Sequence, residues 1–131
     1  MTEKVRVLVA DDNPDILFLL RTNLDAAGFE TLTATDGEIA LRLIEKEHPD
    51  LLLLDLMMPV LDGWGVLERL EEEGSELPVI VVSASDSAAN IQRATHLGAT
   101  GYVTKPFNLR GLIDMIRGVL GAGEEEPPKQ A

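Results

Sequence analysis

The 131-residue chain contains no cysteine. That excludes a disulfide framework and any thiolate-held metal, and it suits a reducing, cytoplasmic setting. Its two histidines, His48 and His96, are widely separated and form no local pair. Neither a GxxxxGK[ST] loop nor a GxGxxG loop occurs, so the common cradles for nucleotide phosphates are missing. Lys and Arg number 11 against 23 Asp and Glu, for a net charge of −12 with no basic run. Direct nucleic-acid binding needs a clustered basic face and is disfavoured. No apolar run approaches the roughly 20 residues that cross a bilayer, so no membrane partner is expected. The opening MTEKVRV lacks a basic stretch followed by an apolar core, so no secretory leader is expected either.

What the chain does have is one domain's worth of residues, 45% of them hydrophobic and 26% charged. That mixture buries a single core and argues against disorder or a fibre. Residues 1–121 are expected to form the domain. The stretch from 122 to 131, rich in Gly, Glu and Pro, is expected to be a disordered tail or a linker stub. Glu71, Glu72 and Glu73 read as a solvated helix face.

Hydrophobic periodicity predicts five strand-then-helix pairs. Val5 to Ala10 reads as a buried strand, followed by a helix that Asn13 caps and Pro14 starts, with Ile16, Leu17, Leu20, Leu24 and Ala27 on one face and Gly28 as its stop. Thr31 to Ala34 is a shorter strand, and Thr35-Asp36-Gly37-Glu38 matches a capping box for the second helix. Leu51 to Leu54 is a fully apolar strand. After a loop holding Pro59, Asp62 and Gly63, a helix runs to about Glu73. Pro78 to Val82 is the fourth strand, with a helix behind it that ends near Leu97-Gly98. Gly101 to Thr104 is the fifth, and Asn108 caps a last helix reaching about Leu120. Continuously apolar strands that alternate with helices imply an α/β fold, a doubly wound parallel sheet covered on both faces. In such a sheet ligands bind in the crevice outside the carboxyl ends of the strands.

The polar residues at those ends carry the chemistry. Asp11 and Asp12 follow the first strand, Asp55 the third, Ser83 the fourth and Lys105 the fifth. Three carboxylates in one crevice repel one another but make a hard-oxygen site suited to Mg²⁺, or to Mn²⁺ in its place. A carboxylate can act as a nucleophile towards phosphorus, Lys105 offers a mobile positive charge, and Ser83 offers a hydroxyl donor. Together they read as a phosphoryl-transfer site. On residue chemistry alone a bland alternative stays open, in which the acids merely cap helices and Lys105 lies on the surface.

Asp11-Asp12, LLLLDLMMPVLDGWGVL around Asp55, VVSAS around Ser83 and GATGYVTKPF around Lys105 resemble the receiver domain of two-component response regulators. The resemblance covers about residues 4 to 121. It implies a flavodoxin-like fold with strand order 2-1-3-4-5, the order of chemotaxis receivers. It makes Asp55 the phosphoacceptor, with Asp12 a direct Mg²⁺ ligand, Asp11 a ligand through water, and the Met57 backbone carbonyl a further one. Ser83 and Lys105 would contact the phosphoryl group, Tyr102 would be the switch aromatic, and Lys105-Pro106 would be a cis peptide. It implies a protein that catalyses its own phosphorylation and dephosphorylation rather than a stand-alone enzyme. The implied donor is a sensor histidine kinase or a histidine phosphotransfer protein. The implied output is a protein bound to the surface formed by the helix after Ser85, the strand Gly101 to Thr104 and the helix after Asn108, as a monomer or a phosphorylation-dependent dimer. Ser83 stands where many relatives have Thr, and Thr100 where an acid is common.

Two rival readings stand beside it, of which the first is set aside by motif order and the second is left open by every sequence rule. An aspartate-nucleophile phosphatase of the haloacid-dehalogenase type places DxD after its first strand and its paired acids late, the reverse of the order here. A pseudo-receiver, a binding module without phosphorylation, would have no need of Asp11, Asp12, Asp55, Ser83 and Lys105 together. Elsewhere the residues read structurally: His48 in a loop, His96 on a helix surface, Trp64 partly packed, Met57 and Met58 as packing.

Overall fold

The computed structural model describes residues 4–122. Strands β1 (Arg6–Ala10), β2 (Glu30–Ala34), β3 (Leu51–Leu54), β4 (Val79–Ser83) and β5 (Gly101–Thr104) alternate with helices α1 (Pro14–Ala26), α2 (Gly37–Glu47), α3 (Gly63–Glu72), α4 (Ala88–His96) and α5 (Leu109–Ala122). All four strand pairings are parallel, and the sheet order is β2-β1-β3-β4-β5, as the resemblance implies. Helix α5 extends past the expected Leu120 to Ala122. Ala122, the first residue of the tail expected at 122–131, is the last residue of α5, and 123–131 lie outside the described residues.

Side chains alternate between the sheet's two faces and build two cores. Leu8, Leu52, Leu54, Val79 and Val81 join Val66, Leu67, Leu70 and Ala94 beneath α2, α3 and α4. Val7, Val9, Leu51, Leu53, Ile80 and Val82 join Leu20, Leu24, Leu112 and Ile116 beneath α1 and α5. This is why β3 can be four leucines in a row: both faces are covered. Each such leucine contributes roughly 1.5–3 kcal/mol relative to an exposed one.

Caps fix where the helices begin and end. The Asn13 side chain accepts from Asp15 N–H at 2.8 Å, and Pro14 opens α1 as expected. At the far end Gly28, with φ of +100°, lets Phe29 N–H return to Leu24 O at 3.0 Å, and Gly74 and Gly98 close α3 and α4 in the same manner. The expected Thr35 capping box does not form. Asp36 is the N-cap instead, accepting from Ile39 N–H at 2.9 Å. The register is set by Gly37: its N–H donates to Leu61 O at 3.0 Å, and a Cβ there would stand 2.3 Å from that oxygen. The helix therefore starts where only glycine fits, and the capping side chain is the residue before it.

Candidate functional site

Parallel registers bring the polar strand ends together. Asp55 N–H bonds to Ala10 O at 2.9 Å, which sets the residue after β3 beside the residue after β1. Lys105 N–H bonds to Ser83 O at 2.8 Å, which locks the residue after β5 to the end of β4. The result is a cluster in which one carboxylate oxygen each from Asp11, Asp12 and Asp55 lies within 4.8 Å of the others. Asp11 and Asp55 are buried and Asp12 is exposed. Lys105 reaches across the crevice, its Nζ 3.0 Å from Asp11 Oδ2 and 3.5 Å from Asp55 Oδ2. The bland alternative, with Lys105 on the surface, does not describe this arrangement.

The electrostatics follow from that geometry. Burial pushes the Asp55 carboxyl above the ordinary carboxylate range, and the charge of Asp11 pushes the same way. A hydrogen bond from Met57 N–H to Oδ1 at 3.2 Å and the Lys105 ammonium oppose it without cancelling it. Burial alone would lower the Lys105 ammonium, but its bond to Asp11 and the charges of both carboxylates outweigh that and leave it above the ordinary lysine value. Asp11 does a second job, accepting from Asn13 N–H at 2.9 Å through Oδ1, so it shapes the loop into α1 as well.

Ser83 is buried at the end of β4, and its Oγ accepts from Ser85 N–H at 3.1 Å. That bond uses the oxygen and leaves the hydroxyl proton available to an acceptor in the crevice. Tyr102 is half-buried, packs against the core under α2, α3 and α4, and donates its hydroxyl to Ser85 O at 2.8 Å. The Lys105-Pro106 peptide is cis. His48 sits at the C-terminal cap of α2 with φ of +51°, and His96 is exposed at the end of α4. Trp64 is half-buried, against the same core and beneath the Arg93 guanidinium.

Met57 departs from expectation. Met58 packs in the core, but Met57 is 72% exposed. Leu56 and Met58 both turn inward, which leaves the residue between them facing out. Val60, in the same loop, is 78% exposed with φ of +69°, and Leu61 N–H bonds back to Pro59 O at 2.8 Å. This tight turn around a β-branched residue was not legible in the sequence, because nothing in the letters PVLD distinguishes it from a relaxed loop. Phe18 on α1 is also exposed; its place just off the apolar stripe was the available signal.

The chain is thus a parallel α/β domain that gathers three carboxylates, a hydroxyl and a lysine at one sheet edge. The family model described as "Response regulator receiver domain" matches residues 7–117, and the chain belongs to that family. It is 42% identical over 118 residues to the "Probable transcriptional regulator ycf27" of Porphyridium aerugineum, covering 90% of this chain and 49% of that protein. It is 37% identical over 123 residues to the "Alkaline phosphatase synthesis transcriptional regulatory protein PhoP" of Bacillus subtilis (strain 168), covering 94% and 51%. The chain thus spans about half the length of the curated relatives it matches. Among solved structures, the Francisella response regulator 1452 receiver domain superposes with a TM-score of 0.87 at 36% identity, covering 93% of this chain and 100% of that one. The Vibrio cholerae chemotaxis protein CheY4 gives 0.82 at 29% identity, covering 88% and 98%. No helix among the described residues is long and apolar enough to cross a membrane.

Proposed function

We propose that this receiver domain accepts a phosphoryl group onto Asp55 from a phosphohistidine of a partner protein, a sensor histidine kinase or a histidine phosphotransfer protein, and that the modification remodels the surface of α4, β5 and α5 for a downstream protein. The observation that carries the reading is one arrangement: the Lys105 ammonium stands 3.0 Å from Asp11 and 3.5 Å from Asp55 at the mouth of a three-carboxylate cluster.

In the transfer, a carboxylate oxygen of Asp55 forms a bond to phosphorus while the bond from phosphorus to the donor's imidazole nitrogen breaks, and the imidazole leaves with the electron pair. Lys105 places positive charge where phosphoryl oxygens arrive, and the Ser83 hydroxyl donates to one of them. The acyl phosphate later returns to carboxylate when water attacks phosphorus and the bond to the Asp55 oxygen breaks, releasing inorganic phosphate. The chain turns over its own modification in this way, not a free substrate.

The donor set fits Mg²⁺, with Mn²⁺ as a substitute. It is all hard oxygen, and Asp12 is exposed, which leaves a side open to the several waters that Mg²⁺ keeps. Asp12 and Asp55 would hold it directly, with Asp11 through water and the Met57 carbonyl completing the protein share. When bound, Mg²⁺ supplies positive charge at the transferring phosphoryl oxygens. A cytoplasmic setting agrees with this chemistry and with the absence of cysteine.

Incubation with acetyl phosphate and Mg²⁺ should add one phosphoryl mass to the intact protein, and a chelator present from the start should prevent it. A chain that gains no phosphoryl from any small donor under these conditions is a pseudo-receiver.

A further inference from the structure

Arg93 of α4 is gripped at two points by α3. Its guanidinium carbon stands 4.0 Å from the centroid of the Trp64 ring, and Nη2 is 3.4 Å from Glu68 Oε2. Trp64 and Glu68 are one turn apart on α3, so a ring face and a carboxylate lie side by side, and a planar guanidinium can stack on one while bonding the other.

The far end of α4 is held by Leu97 and Ala99, which pack against the core, and by Thr100 N–H bonding to Val79 O at 2.7 Å, but the body of the helix is lightly anchored. Its one fully buried side chain is Ala94, whereas α3 buries Val66, Leu67 and Leu70. The start of α3 is also pinned to the phosphoacceptor segment. Gly63 N–H bonds to Leu56 O at 3.0 Å, and a Cβ on Gly63 would stand 2.5 Å from Asp55 O. The first turns of α4 connect elsewhere: Asn90 Nδ2 donates to Ser85 Oγ at 2.9 Å, and Ser85 N–H donates to Ser83 Oγ at 3.1 Å. A pull on the Ser83 hydroxyl therefore passes through Ser85 and Asn90 to α4. Because the start of α3 is held to the Asp55–Leu56 segment, a displacement of α4 falls on the Arg93 contact.

We propose that Arg93, seated on Trp64 and Glu68, is a latch that sets the position of α4 and so governs how readily phosphorylation of Asp55 moves it. The proposal rests on the phosphoacceptor reading and names the regulation of that same site. The size of the contact suits a latch. Both ends of the ion pair are half exposed, so stacking and pairing together bias the equilibrium between two positions of α4 by about fivefold, enough to hold and little enough to yield.

Trp64 is the single tryptophan, so its emission reports on the cation above it. The test uses the full chain with Mg²⁺ and beryllofluoride as the phosphoryl mimic, with fluorine NMR to register binding at Asp55. The parent's Trp64 emission should change when the mimic binds. Arg93→Ala should remove most of that response and speed amide exchange across 88–96 by about fivefold in the unmodified protein, and Arg93→Lys, which keeps the charge but not the planar stack, should restore part of both. A bound mimic with silent Trp64 emission overturns the latch alone, as does unchanged exchange in Arg93→Ala. A mimic that does not bind overturns the phosphoacceptor reading and, with it, the latch's link to that site.

Discussion

The Lys105 ammonium lies nearer to Asp11, at 3.0 Å, than to Asp55, at 3.5 Å. The lysine thus serves as counter-ion to both buried acids, and chiefly to the one after β1. Lys105→Met removes that charge and leaves two buried carboxylates without their counter-ion. The metal-free variant should lose about 1–3 kcal/mol of stability, as expected for a charged hydrogen bond broken on one side, and recover much of it in Mg²⁺. Denaturant unfolding with and without Mg²⁺ checks both; a variant as stable as the parent without metal would show that the contact carries no energy.

Asp55 gives a pH signature. Burial raises its folded-state value above that of the unfolded chain, so the folded state holds the proton more tightly and ionisation works against folding. The group's favourable contribution is complete below the ordinary carboxylate value of about 4 and is lost as pH rises through the raised folded value. Asp55→Asn should therefore be more stable than the parent at pH 7 without metal, and its advantage should shrink as pH falls towards about 4. Paired melting curves from pH 4 to 8 test this; an advantage that grew in acid would have the wrong sign.

Mg²⁺ at tenfold above its dissociation constant should stabilise the parent by about 1.4 kcal/mol through mass action, or about 3–6 °C in Tm for a domain of this size. Asp12 is exposed, so Asp12→Ala should leave the metal-free Tm within a degree or so while removing the response. Calorimetric titration is the direct check. A parent indifferent to Mg²⁺ would count against the carboxylate cluster as a metal site.

Val60 at φ of +69° holds a β-branched residue where side chains are strained, and with 78% of it exposed no packing offsets the cost. Glycine adopts that conformation freely, though it gives up chain entropy. Val60→Gly should raise stability by about 1 kcal/mol, the strain of about 1–3 kcal/mol less the entropy lost. A destabilised variant would mean that the valine side chain makes a contact that outweighs its backbone.

Most of the fold was legible because the strands are covered on both sides. Runs such as LLLL at 51–54 and VIVV at 79–82, bounded by turn residues and alternating with helices, fit a parallel sheet, and Gly28 and Asn13 mark helix ends by their own chemistry. Asp11, Asp55 and Ser83 could be listed for the same reason, since each closes or follows an apolar run, whereas Lys105 follows the mixed strand GYVT. Three features were out of reach. The start of α2 depends on Gly37 meeting Leu61, which lies 24 positions away in the chain. The Lys105–Asp11 contact spans 94 positions, and it is the sheet order, not any local pattern, that brings them together. The grip of Trp64 and Glu68 on Arg93 joins two helices, and the sequence reads Trp64 only as partly packed, with nothing to name its partner.

Everything rests on Asp55 carrying the phosphoryl group, and reductive trapping reads that residue out directly. After treatment with acetyl phosphate and Mg²⁺, borohydride converts an aspartyl phosphate to homoserine, and tandem mass spectrometry of the peptides locates it. Homoserine is expected at position 55 in the parent and not in Asp55→Asn. A phosphoryl group that survives acid on a serine or threonine, with Asp55 unchanged, would contradict that assignment.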